Sequence, residues 1–171
     1  MKIIKVFETI SKKINPLRYW KKKGVKFGKN VIINSSVSFG SEPYLIEIGD
    51  NCKITSDVCF ISHDGGVHVF RVLNQEDNEI DLFRGKTIVG DNTFIGNRAA
   101  IMPGVKIGKN CIIGFGSIVS KDIPDNSVAC GVPARVIESI DEYRDKNNRW
   151  FLKTKKMSPK KKKDYLCDKF Q

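Results

Sequence analysis

The chain has 171 residues, a formal net charge of +11 and 40% hydrophobic residues, which bounds it to one domain with appendages. No apolar run nears 18 residues and no secretory h-region is visible, so the sequence predicts neither a membrane span nor a signal peptide. Five cysteines, Cys52, Cys59, Cys111, Cys130 and Cys167, are odd in number and form no CxxC pair. They read as small buried hydrophobes in a reducing cytosol, which predicts a cytoplasmic protein.

The charge is uneven along the chain. Residues 1–24 carry eight Lys/Arg against one Glu, and residues 138–171 carry eleven against six acids. Between them, residues 25–137 carry eleven bases and twelve acids, a net −1. This divides the chain into a basic N-terminal helical segment (1–24), a near-neutral centre (25–137) and a basic C-terminal helical tail (138–171). In the first segment, Ile3, Ile4, Phe7, Ile10 and Ile14 have helix-like spacing. The plainer expectation is a helix capping an open end of the centre. The sharper one is a helix lying on an anionic membrane surface, peripheral to the inner face of the membrane.

The centre keeps a six-residue beat. Apolar residues recur at Phe27, Ile33 and Phe39, at Ile48, Ile54 and Phe60, and at Val89, Ile95, Ile101, Ile107, Ile113 and Val119. Every third hexad opens apolar-Gly-x-Asn, as in Phe27-Gly28-Lys29-Asn30 and Ile107-Gly108-Lys109-Asn110, giving a longer period of 18 residues. Neither a helix (3.6) nor a half-buried strand (2) repeats at six. Six fits one flat side of a three-sided coil, so the pattern predicts an all-β core built as a parallel β-helix of hexapeptide repeats. The place after each apolar residue is held by Gly28, Asn34, Gly40, Gly49, Gly90, Gly96, Gly108 or Gly114. This predicts corners with φ > 0 there. Small or β-branched residues from Val31 to Ile123 take the fifth place of each hexad and suit a narrow interior. Asn30, Asn51, Asn92 and Asn110 should form a ladder at about 4.8 Å spacing.

Two insertions interrupt the beat, each after a third hexad. The first adds three residues around Ser41-Glu42-Pro43, and the second is a polar loop over 64–86. Long loops of this kind carry function or disorder. Both histidines, His63 and His68, lie at the start of the second. Imidazole is suited to take a proton near neutral pH, so His63, beside Gly65-Gly66, is the candidate general base. A plain structural hydrogen bond is the alternative at this point, and His68 reads as an ordinary loop residue. Two histidines without a Cys/His cluster do not make a zinc site, so no metal is expected. In the tail, Lys160-Lys161-Lys162-Lys163 reads as a solvated run, and the repeats offer no basic face for nucleic acid.

The segment Gly90 to Ile137 resembles the hexapeptide-repeat acetyltransferases, especially the galactoside, maltose and xenobiotic O-acetyltransferases. The matching runs are Ile95-Gly96-Asn97, Ile101-Met102-Pro103-Gly104-Val105-Lys106-Ile107-Gly108, and Ile113-Gly114-Phe115-Gly116-Ser117-Ile118-Val119-Ser120-Lys121-Asp122-Ile123-Pro124. The specific closing motif is Gly131-Val132-Pro133-Ala134-Arg135-Val136-Ile137. The short length and Ser41-Glu42-Pro43-Tyr44 resemble the branch that modifies bacterial surface polysaccharides.

The resemblance implies a left-handed β-helix and a homotrimer, with acetyl-CoA in the groove between adjacent prisms and the long loop reaching over a neighbour. It places His63 at the family's catalytic base. It places Phe94 and Asn97 along the pantetheine arm and Ser120 and Lys121 near the adenosine end. Arg135 matches a phosphate-facing base, and Phe115 stands where relatives have a small alanine. Asp64 is a candidate to orient the imidazole or meet the acceptor, with a backbone carbonyl as the alternative orienter. Glu42 and Arg71 are acceptor candidates because insertions set specificity. The expected activity is acetyl-CoA-dependent O-acetylation of a saccharide hydroxyl, on a cell-surface polysaccharide or its precursor. The alternatives are N-acetylation of an amino sugar, xenobiotic acetylation, and a non-catalytic trimeric scaffold.

Overall fold

In a computed structural model, residues 10–73 and 79–170 are described. Parallel strands of two or three residues stack into three sheets, one for each side of a prism. Face 1 is Lys26–Phe27, Ile46–Ile48, Thr87–Val89 and Lys106–Ile107. Face 2 is Ile32–Ile33, Lys53–Ile54, Phe94–Ile95 and Ile112–Ile113, closed by the antiparallel pair Ser127–Gly131 and Ala134–Ser139. Face 3 is Cys59–Phe60, Ala100–Ile101 and Ile118–Val119.

The stacking offsets follow from the repeat. Asn92 and Asn110 are 18 residues apart, Lys26 and Glu47 are 21, and Ser56 and Asn97 are 41. The two longer offsets are one coil plus the first or second insertion. The top coil departs from the beat: Ile123 bridges to Ile107, and Lys109 meets Asp125 only 16 residues on. Ile123 therefore does not hold the fifth place of a regular hexad. It sits over face 1 in a coil two residues short.

Alternation explains the core. The second residue of each short strand points inward, so Ile54, Ile95, Ile113, Phe60, Ile101 and Val119 are buried. Each such side chain contributes about 1.5–3 kcal/mol relative to exposure. The fifth-place residues Val37, Cys52, Val58, Thr93, Ala99, Val105, Cys111 and Ser117 are buried as well. Burial also pushes the Cys52 and Cys111 thiols up in pKa, so they sit as neutral packing groups. At the first coil, Phe39 stacks on Phe60 at 4.8 Å, and Trp20 of the helix Pro16–Lys22 meets Phe39 edge-on at 5.2 Å. Ile3, Ile4 and Phe7 lie outside the described residues.

The corners meet the expectation at Gly40, with φ 67°, and differ from it at the other named positions. Positive φ falls on Asn30, Asn51, Asn92 and Asn110, at 53–56°, two places after each glycine. Gly28, Gly49, Gly90 and Gly108 have no positive φ; each is needed for space. A Cβ on Gly90 would lie 2.6 Å from Gly108 C and Lys109 N in the next coil. Asparagine tolerates the left-handed region because its short polar side chain can bond locally. That side chain also forms the ladder: Asn92 donates to Asn110 at 2.9 Å, and Asn110 to Asn126 at 2.8 Å.

After the prism come the helix Ile140–Asn147, a short turn Asn148–Trp150 and the helix Pro159–Lys169. The first opens on a capping box between Ser139 and Glu142. Among the described residues no helix is long and apolar enough to cross a membrane.

Candidate active site

Both insertions leave the prism from the corner that follows face 3, and this brings their roots together. His63 Nδ1 lies 2.8 Å from Glu42 Oε2, across an offset of 21 residues. The same carboxylate oxygen accepts from Ser62 Oγ at 2.5 Å and from Ser41 Oγ at 3.0 Å. Glu42 N–H in turn donates to Ser62 Oγ at 3.2 Å. Ser62 is buried, 4% exposed, so its hydroxyl is fixed in this network. The Ser62 hydroxyl first, then His63 and Ser41, hold the Glu42 carboxyl below its usual pKa against a smaller opposing effect of burial.

This geometry assigns the imidazole. An ionised carboxylate only accepts, so Nδ1–H donates to Glu42, and in the neutral ring the lone pair then lies on Nε2. The His63 side chain remains 36% exposed while Glu42 is 18% exposed, so the ring is partly open to solvent. Phe83 from the far arm of the long loop lies against the ring, with centroids 5.9 Å apart.

The loop is folded rather than loose over its described part. It begins with the turn Gly65–Val67 and continues as the helix His68–Leu73, while residues 74–78 lie outside the described residues. Asp64 does not orient the imidazole. Its Oδ1 accepts from Gly66 N–H at 2.9 Å and caps the turn. Neither does a backbone carbonyl, since Glu42 holds Nδ1. Arg71 is spent within the loop: Nε donates to Ile80 O at 2.7 Å, and its guanidinium pairs with Asp81. His68 opens the loop helix away from this network.

The expected donor residues do not all converge in one chain. Asn97 and Phe115 occupy the corner between faces 2 and 3, joined by Gly116 N–H to Asn97 O at 2.9 Å. Asn97 Oδ1 also accepts from Ser56 N–H at 3.0 Å. Phe115 is exposed, with the Arg98 guanidinium 5.8 Å from its ring centre. Ser120 and Lys121 follow Ile118–Val119, on the same corner as His63, and both are exposed. Face 3, with Cys59, Ala100 and Ile118 outward, is thus bordered by His63 on one edge and by Asn97 and Phe115 on the other. Phe94 sits apart on face 2. Arg135 lies on the closing strand, where its guanidinium donates to Ala134 O at 2.8 Å.

A groove of about 530 Å³ lies on face 1, away from both histidines, between Lys26, Glu47, Ile88, Asp91 and Lys109. Its centre is an ion-pair cluster, with Glu47 Oε1 3.1 Å from Lys26 Nζ and 2.8 Å from Lys86 Nζ. Those contacts give it a structural account, and it offers no group poised for proton transfer.

Residues 86–121 match the family model described as bacterial transferase hexapeptide (six repeats). Over 134 residues the chain is 45% identical to Protein CapG of Staphylococcus aureus, covering 78% of this chain and 76% of that one. The chain belongs to the bacterial hexapeptide-repeat transferases. It is also 39% identical to the galactoside O-acetyltransferase of Escherichia coli K12 over 123 residues, 72% of this chain and 57% of that enzyme. A solved galactoside acetyltransferase in complex with coenzyme A matches at 35% identity and a TM-score of 0.54, over 71% of this chain and 58% of its own. The chain therefore spans little more than half the length of these last two proteins.

Sequence reasoning placed Glu42 with the acceptor and overlooked Ser41, Ser62 and Phe83. The signal for Glu42, Ser41 and Ser62 was present. Phe39 and Phe60 are also 21 residues apart, and the same offset carries Glu42 onto His63. Phe83 had no such signal, because it reaches the site across an aperiodic loop.

Proposed function

We propose that the chain is an acetyl-CoA-dependent O-acetyltransferase acting on a saccharide hydroxyl, with His63 as general base. The observation that carries this reading is the Glu42–His63 pair, which directs Nδ1–H to the carboxylate, so that Nε2 is the nitrogen of the neutral ring that can accept a proton, in a side chain 36% exposed at the edge of face 3. Nε2 takes the proton from the acceptor hydroxyl as its oxygen bonds to the thioester carbonyl carbon. The carbon–sulfur bond then breaks, and the imidazolium returns the proton to the departing CoA thiolate. The Glu42 carboxylate stabilises the imidazolium formed between these steps. Much of the remaining acceleration comes from holding donor and acceptor in line.

The donor would run along face 3, with Asn97 and the Phe115 corner beside the pantetheine arm and Ser120 and Lys121 toward the phosphates. Arg135 and Phe94 would complete the site from a neighbouring copy, which the expected trimer of left-handed prisms supplies. The relative solved with coenzyme A supports the choice of donor, and the galactoside enzyme supports a sugar acceptor. Arg71 acts on the acceptor indirectly, by shaping the loop that forms its wall. The near-neutral prism 25–137 is the catalytic domain in this reading, acting on the cytoplasmic side on a surface-polysaccharide precursor.

Two measurements test it together. Free thiol should appear when acetyl-CoA is mixed with the protein and a panel of sugars and nucleotide sugars. CoA at about 100-fold its Kd should stabilise the fold by about 2.7 kcal/mol. Absence of both effects would favour a non-catalytic scaffold, whereas thiol release with amino sugars alone would redirect the reading to N-acetylation.

A further inference from the structure

The segment 149–170 has a composition and exposure that the prism does not need. It holds nine Lys/Arg (Arg149, Lys153, Lys155, Lys156, Lys160, Lys161, Lys162, Lys163 and Lys169) against Asp164 and Asp168. Among these bases, Trp150, Phe151 and Phe170 are each more than half exposed, and Met157 and Tyr165 are also exposed. The preceding helix Ile140–Asn147 is different, because its bases have acids: Arg144 pairs with Asp141 at 3.4 Å and Lys146 with Glu138 at 3.6 Å. The helix Pro159–Lys169 has no acid in its first turn, where its four consecutive lysines stand. Cations at that end oppose the helix dipole. No residue of this helix is buried, so packing does not offset the charge.

We propose that residues 149–170 form a docking surface for an anionic lipid bilayer. Clusters of four to eight bases beside interfacial aromatics match the two attractions such a surface offers, charge at the headgroups and apolar burial just beneath. A flexible polyanion in water would use the charge and leave Trp150, Phe151 and Met157 exposed, so the aromatics favour lipid. The site is at the opposite end of the prism from residues 10–24, part of the segment for which the sequence offers a membrane-surface helix as the alternative to a capping one. In the described part of that segment, Trp20 is already committed to Phe39 and is 8% exposed. The inference does not depend on the acetyl-transfer reading.

Full-length protein should float with phosphatidylcholine vesicles containing about 30 mol% phosphatidylglycerol and not with phosphatidylcholine alone. Raising salt from about 0.1 to 0.5 M should weaken binding at least ~10-fold. Replacing Lys160, Lys161, Lys162 and Lys163 by Gln should weaken it ~100-fold or more. Tryptophan emission should shift to the blue on binding, and Trp150→Phe should abolish that shift while leaving the buried Trp20 signal. All five positions are exposed, and unchanged circular dichroism checks that the fold is kept. Equal binding to neutral vesicles, retention of binding by the four-Gln variant, or a blue shift that survives Trp150→Phe would overturn the proposal. So would tighter binding to a free oligonucleotide than to the anionic vesicles.

Discussion

His63 Nδ1 meets Glu42 Oε2 at 2.8 Å because the first insertion gives the second coil an offset of 21 residues, which sets the root of one insertion against the root of the other. The histidine is thereby oriented by a residue of a different loop, and Ser41 and Ser62 hold that residue in place. The pair couples the two interruptions of an otherwise regular repeat into one chemical unit.

Glu42→Gln should lower kcat by about 10–100-fold while KM for acetyl-CoA changes little. The amide still accepts from Nδ1–H but no longer stabilises the imidazolium. Steady-state kinetics at saturating acetyl-CoA give the split. A rise in KM with kcat intact would instead place Glu42 on a substrate, as sequence reasoning had it.

The same carboxylate predicts a pH-dependent stability. Its pKa is lowered in the folded state, chiefly by the Ser62 hydroxyl. A depressed pKa stabilises fully above the unfolded value of about 4.3, and the effect is lost as pH falls through the folded value. Wild type should exceed Glu42→Gln by about 1–2 kcal/mol at pH 7, and the difference should shrink as pH falls below about 4.3. Urea unfolding at pH 7 and at a pH below that value measures it. An equal gap at both would show that the carboxylate charge is not what the serines hold.

Gly90→Ala should cost about 2–4 kcal/mol, because its Cβ would press on backbone atoms of Gly108 and Lys109 that cannot move independently. Gly65→Ala should change stability by less than about 0.5 kcal/mol, since nothing lies within 4 Å of that Cβ. Thermal unfolding of the two variants compares them. Similar losses would mean that coil spacing is not what these glycines protect.

Asn110→Ala removes a ladder position and puts a side chain at φ 55° that disfavours it, for a loss of about 2–3 kcal/mol. Asn110→Gly keeps the backbone conformation and should recover about 1 kcal/mol of that. If alanine and glycine are equally damaging, the ladder hydrogen bonds alone account for the asparagine.

The sequence period made the prism legible because each apolar residue faces one narrow interior, and a slip of one place would turn that row outward. Backbone detail was less legible. Glycine and asparagine both suit tight corners, and composition does not say that Gly90 supplies room and Asn92 supplies the left-handed turn. His63 was legible as one of two histidines at a loop root. Its partner was misplaced because Glu42 was read as part of a loop rather than as a position in a stacked column. Phe83 and the Arg71–Asp81 pair depend on how the long loop folds back, and no period runs through that loop. The shortened last coil escaped for a related reason: Ile123 satisfies the apolar pattern in either register.

The most direct test of the account is the turnover of His63→Ala, followed as CoA thiol release from acetyl-CoA with the best saccharide acceptor found for the wild type. The account predicts a kcat at least ~100-fold lower with CoA still bound, seen as an undiminished thermal shift. Wild-type turnover in this variant would contradict it, because no base would then be needed at the one position the two insertions converge to build.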